Sequence, residues 1–167
     1  MTVDQTTRDS LTARRQEIAA RHLKPADQRP PSSARGVHHV ALISSDVERT
    51  VEFFDGLLGF PLIEMFENRD YAGSTHFFFD IGAGNALAYF DQPGLDLGPY
   101  AEVLGGHHHL AISVERTRWD QLKAALDAAG VEYAHVDGSS LYFRGPDGER
   151  LELISDPLGE MYGNTLG

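Results

Sequence analysis

The pattern of apolar and polar positions changes character at Gly36. Before it, residues 7–23 are polar with Leu11, Ile18 and Ala19 along one side, which predicts a helix. The stretch KPADQRPPSSARG that follows carries three prolines and ends regular structure. Residues 1–35 therefore read as an N-terminal helical extension with a Pro-rich linker. After it, GVHHVALIS (36–44) alternates as a strand does, with His39, Ala41 and Ile43 on one side and Val40 and Leu42 on the other. Val47, Val51, Phe54 and Leu58 then follow at helical spacing up to Gly59, and FFFDIGAGNALAYF (77–90) reads as a hairpin turning near Gly84.

This pattern occurs twice. GHHHLAIS (106–113) echoes the first strand, placing His109 over His39 at an offset of 70. Trp119, Leu122, Leu126 and Ala129 form the second helical series, ended by Gly130. LYFRGPDGERLELI (141–154) repeats the hairpin around Gly148 at an offset of 64. Each half thus predicts a β-α-β-β-β module, at about 36–95 and 105–157, with a tail at 158–167. The fold class is α+β. A single module leaves one sheet face bare, so the two are expected to pair into one curved eight-stranded sheet around a cavity. If Val40, Leu42, Leu110 and Ile112 meet the helices, His39 and His109 turn toward that cavity.

Glu152 sits between Leu151 and Leu153 inside a strand-like run. A carboxylate there is either exposed or satisfied by a strong partner, because burying it unpaired costs several kcal/mol. A metal ion would satisfy it, and His39, His109 and Glu152 together make a two-histidine, one-carboxylate ligand set. Such a set suits Fe(II) or Mn(II), with Zn, Ni or Co also compatible. The first-half counterpart of Glu152 is Ala88, so three protein ligands are expected and open positions remain for substrate. His76 opens HFFFDIG after the polar run ENRDYAGST and is a candidate general base or substrate contact. Tyr142 and Tyr89 are candidates for orienting a substrate oxygen, and Phe77, Phe78, Phe79 and Phe90 for apolar walls. His38, His107 and His108 fall off the strand register and read as neighbours of the site, and His135 as a residue at the solvent edge.

The 167 residues amount to about one domain at the usual ~100–200 residues each. There is no cysteine, which rules out thiolate sites and leaves nitrogen and oxygen ligands. The net charge is −11: residues 1–35 hold seven of the fourteen Lys and Arg against four acids, or +3, leaving −14 on residues 36–167. A body that acidic repels a phosphate backbone, so no nucleic-acid partner is expected. No apolar run approaches the roughly 20 residues of a membrane span, and the opening MTVDQTTRDS lacks the apolar core of a secretory signal. A cytoplasmic protein with no membrane partner and a small-molecule substrate is the expectation.

HHVALISSDVERTVEFFDGLLGF, HHHLAISV and YFRGPDGERLEL together resemble the vicinal oxygen chelate superfamily over residues 36–157. That superfamily contains glyoxalases, type I extradiol dioxygenases, epimerases, fosfomycin-resistance enzymes and metal-free bleomycin-binding proteins. The resemblance implies metal ligands at His39, His109 and Glu152, a divalent metal cofactor, and a homodimer. Glyoxalases usually carry a fourth, acidic ligand in the first hairpin, where this chain has Ala88. Extradiol dioxygenases place a tyrosine ten residues before the glutamate, as Tyr142 stands here, but the extra active-site histidine before their second metal histidine has no clear counterpart. The implied activity is that of a metal-dependent oxidoreductase, a dioxygenase acting on a small aromatic or partly apolar molecule through vicinal oxygens. A glyoxalase- or epimerase-like isomerase or lyase, or a non-catalytic binder of a metabolite or antibiotic, is the alternative. With few basic residues in the body, a phosphonate substrate fits poorly.

Overall fold

The computed structural model describes residues 3–166, which divide into two compact units, one ending at Arg35 and the other spanning Gly36–Leu166. In the first unit α1 (Gln5–His22) is capped by Asp4, whose side chain accepts from the Thr7 backbone N–H at 2.9 Å. None of its residues is buried, and Leu11 and Ile18 stay exposed. Two large apolar residues seven apart make too narrow a stripe to form a buried face. No described helix is long and apolar enough to cross a membrane.

In the second unit the first module runs β1 (His39–Ser44), α2 (Val47–Val51), β2 (Leu62–Glu67), β3 (Thr75–Asp80) and β4 (Ala86–Asp91). Asp46 caps α2 by accepting from the Arg49 N–H at 3.0 Å. The helix then widens into a π-type turn over Glu52–Leu57, which the apolar spacing alone does not reveal. The second module repeats the order as β5 (Leu110–Ser113), α3 (Arg116–Ala129), β6 (Tyr133–Val136), β7 (Ser140–Arg144) and β8 (Arg150–Ile154). α3 ends on Gly130 at φ +68°, the left-handed position that glycine adopts without a side-chain clash. A short hairpin, β9 (Glu160–Met161) with β10 (Asn164–Thr165), completes the chain.

Both sheets have the same topology, β1-β4-β3-β2 and β5-β8-β7-β6. The first strand of each is parallel to the fourth, as a helical crossover allows, and the other pairs are antiparallel. One side of each sheet is apolar. Leu87, Tyr89, Phe77 and Phe79 from one, and Leu141, Phe143, Leu151 and Leu153 from the other, join Phe54, Trp119, Leu122 and Leu126 in a single buried cluster.

The α+β class and the two modules match the sequence pattern, but no ladder among the described residues joins the two sheets into one of eight strands. The reason is visible in the core. The modules meet through their apolar sides, with the Phe53 and Phe143 rings 6.3 Å apart, rather than through strand edges. Each sheet therefore keeps its own opposite face, and those two faces carry the candidate residues.

Candidate functional site

On the second sheet Glu152 occupies the middle of β8, in register with Ala111 of β5 on one side and Tyr142 of β7 on the other. It is only 1% exposed, and neither carboxylate oxygen has a hydrogen-bond partner. His109, just before β5, brings Nε2 to 3.0 Å from Oε2, an ion-pair distance without formed hydrogen-bond geometry. A buried carboxylate left this way is costly, and a cation bound by the pair would remove the penalty. The residues present fit a divalent metal: one imidazole nitrogen and one carboxylate, both hard enough for such an ion, on one face.

The surroundings fix the geometry of this pair. His109 Nδ1 lies 2.7 Å from His108 Nδ1, and His108 Nε2 lies 3.0 Å from Arg150 Nη1. Arginine can only donate, so His108 accepts at Nε2. The Tyr142 ring stands edge-on to His109 at 5.5 Å, and the Arg150 guanidinium lies 5.4 Å from the Tyr142 centroid. Burial first, then the Tyr162 hydroxyl and the Glu152 carboxylate, push the Tyr142 phenol above its ordinary pKa, so it remains a protonated donor at neutral pH.

The first sheet presents the equivalent face with different chemistry. Ala88 lies between Ala41 and Phe78, just as Glu152 lies between Ala111 and Tyr142, so the ladders reproduce the 64-residue correspondence. His39 opens β1, exposed, with Nδ1 at 2.9 Å from His38 Nδ1 and its ring 6.2 Å from Phe78. His76 lies on β3 between Phe66 and Phe90, its ring stacked 3.7 Å from Phe90 and 4.2 Å from Phe78. Its Nε2 is buried without a partner, and burial, reinforced by nearby His39, holds the imidazole below its usual pKa.

The structure thus brings together His109, Glu152 and Tyr142, and separately His39 and His76. Within one chain it does not unite all three predicted ligands: no group of three or more His, Cys, Asp or Glu among the described residues is placed to hold a metal ion. The separation follows from the packing, since His39 belongs to a sheet with no ladder to that of Glu152. Tyr89, a candidate for orienting a substrate oxygen, lies away from both faces. Its side chain points into the core, where its hydroxyl donates to Glu149. Phe77 and Phe79 are core as well, leaving Phe78, Phe90 and Phe66 for the open face.

One residue escaped the sequence reading. The Tyr162 hydroxyl reaches 3.3 Å from that of Tyr142. Gly163 and Asn164, residues that favour turns, stand beside it in the tail and are the local signal for the hairpin that carries it.

A family model for the Glyoxalase/Bleomycin resistance protein/Dioxygenase superfamily matches residues 36–153. Metallothiol transferase FosB of Shouchella clausii (strain KSM-K16) is 29% identical over 133 residues, covering 75% of this chain and 83% of FosB. MhqA of Bacillus subtilis (strain 168), a protein named as a ring-cleaving dioxygenase, is 24% identical over 139 residues, 77% of this chain but 42% of MhqA. Among solved structures, the fosfomycin resistance protein FosX of Listeria monocytogenes, complexed with Mn(II) and sulfate, superposes with a TM-score of 0.55 at 24% identity, covering 75% of this chain and 95% of FosX. With two repeated modules, a histidine at or just before the start of each first strand and a family match across most of its length, the chain belongs to the glyoxalase/bleomycin resistance/dioxygenase superfamily, the vicinal oxygen chelate proteins.

Proposed function

We propose that this protein is a metal-dependent enzyme of the vicinal oxygen chelate type, in which His109 and Glu152 of one chain and His39 of the partner subunit hold a divalent metal, Fe(II) or Mn(II). The observation that carries this reading is the buried Glu152 carboxylate, unpartnered at both oxygens and facing His109. One chain supplies two ligands on one sheet and leaves the third exposed on another. A two-fold dimer would bring the complementary faces together twice. The face around His39 also exposes Ile43 and Phe66, apolar area that a second copy would cover.

A divalent metal bound there supplies Lewis acidity toward adjacent oxygens of a substrate. The protein's own residues do the rest, Tyr142 on the face that carries Glu152, and His76 with the aromatic side chains on the face that carries His39. Tyr142 donates its proton to a substrate oxygen. His76, neutral, accepts a proton at Nε2. Phe66, Phe78 and Phe90 form an aromatic wall that stacks against a flat, partly apolar ring and keeps water out. Aromatic walls, a three-ligand set and Tyr142 favour dioxygenase chemistry on a small aromatic molecule with vicinal oxygens.

A second reading, thiol transfer to a small anionic substrate, is favoured by the likeness to FosB and by Arg144 and Arg150, which face each other across β7 and β8 beside Glu152. A panel of catechols scored by oxygen uptake, run beside fosfomycin with a thiol, separates the two.

The shared site is tested by complementation. His39→Ala and His109→Ala should each abolish stoichiometric Mn(II) binding. After the two variants are mixed and allowed to exchange subunits, about one quarter of the sites should return, because half the dimers are mixed and each mixed dimer rebuilds one intact site. No recovery would place the ligands within one chain, and a wild-type protein without metal affinity would end the reading.

A further inference from the structure

Tyr162 occupies a backbone conformation that tyrosine rarely adopts. It and Gly163 form the two-residue turn between β9 and β10, with φ of +51° and +74°. Turns with both central residues in the left-handed region favour Asn, Asp and Gly, and a tyrosine at the first position is disfavoured. Core packing does not explain the residue, which is 42% exposed.

The tail is nevertheless tied down so that this phenol reaches the Glu152 face. Ser113 Oγ, at the end of β5, donates to the Asp156 carbonyl at 2.7 Å, and the Asp156 carboxylate accepts the Tyr162 backbone N–H. The Leu166 N–H closes the hairpin onto the Gly159 carbonyl at 2.7 Å. These bonds fix the hairpin to the strand that follows His109, and the Tyr162 hydroxyl ends 3.3 Å from that of Tyr142.

At this distance one of the two hydroxyls donates its hydrogen to the other. The second proton and the remaining lone pairs stay free. Such a pair can donate to one substrate oxygen and accept from a hydroxyl beside it, on the face where Glu152 and His109 stand.

We propose that Tyr162 is a substrate-contacting residue, which together with Tyr142 forms a two-hydroxyl clamp for a small molecule bearing adjacent oxygens, at least one of them a hydroxyl, as in a catechol or an enediol. The proposal rests on the reading above that this face binds the substrate, and it adds the C-terminal hairpin to the site.

Nitrocatechol, a chelating chromophore, is the probe, titrated into the full-length protein with and without Mn(II) and followed by its visible spectrum. Tyr162→Phe keeps the ring and loses the hydroxyl. It should weaken nitrocatechol binding by about tenfold, the usual scale for one hydrogen bond to a charged or strongly polar group, while Mn(II) affinity stays unchanged. Tyr162→Asn suits the turn better, so it should melt no lower than wild type yet bind the probe just as weakly. That opposition separates substrate contact from support of the fold. Probe affinity equal to wild type in both variants overturns the proposal, as does a wild-type protein that does not bind nitrocatechol. If EDTA-treated protein binds the probe with the same loss in the variants, the clamp stands and the metal centre falls.

Discussion

The Tyr89 hydroxyl donates to Glu149 Oε1 at 2.7 Å, linking β4 of the first module to the β7–β8 turn of the second. Both residues are buried, and the second carboxylate oxygen accepts the Asp147 N–H at 2.9 Å. Burial and the adjoining Glu149 charge raise the Tyr89 phenol far above its ordinary range, so it acts only as a donor. At the surface beside it, Arg49 and Asp147 bridge the same two modules at 2.9 Å.

This bond should matter to stability more than the surface pair. Tyr89→Phe leaves a buried carboxylate oxygen without its donor and should cost about 1–3 kcal/mol, whereas Arg49→Ala should cost less than ~1 kcal/mol. Gly145→Ala should resemble the first, because a Cβ there runs into the Glu149 carboxylate. Urea denaturation of the three variants checks the order. Equal losses for Tyr89→Phe and Arg49→Ala would remove the buried bond from its central place.

Glu152 should show the opposite sign. With no metal, its unpartnered carboxylate destabilises the fold, so Glu152→Met should raise the stability of EDTA-treated protein by about 1–3 kcal/mol. The same substitution should abolish the stabilisation that Mn(II) confers on the wild type. Melting curves with and without the metal test both halves. A variant that is less stable in EDTA would mean that the carboxylate is already satisfied.

His76 should make stability depend on pH in a defined direction. Burial lowers its pKa in the folded protein, so below about pH 6.5 the unfolded chain binds a proton that the folded chain resists. Its contribution is complete above about pH 6.5 and falls as the pH drops toward the lowered folded value. His76→Phe keeps the aromatic stack with Phe90 and should flatten the stability profile of metal-free protein between about pH 5 and about pH 7. Urea midpoints across that range decide it, and a slope equal to wild type would mean that the ring is hydrated.

The double module was legible because its signals are local. A period of two puts His39 and His109 opposite Val40 and Leu110, a helical period follows each, and glycines mark the ends. The ladders place Ala88 and Glu152 in equivalent positions, as the 64-residue offset required. The same local rules left the π-type widening of α2 unseen, because it changes the hydrogen-bond spacing without changing which residues are apolar. They also left Tyr162 unseen, because its contact depends on a tail folding back across the sheet.

Sequence alone determined the two β-α-β-β-β modules, the order of their elements and which side of the first strands carries the histidines, since alternation is set by neighbouring residues along the chain. Only the tertiary structure decided that the modules meet through Phe53, Phe143, Tyr89 and Glu149 rather than edge to edge. With that packing, Glu152 faces His109 while His39 stands on a separate sheet. The association of two modules depends on the total apolar area they bury and on the polar groups satisfied between them, quantities summed over residues far apart in the chain, which no single stretch of sequence carries.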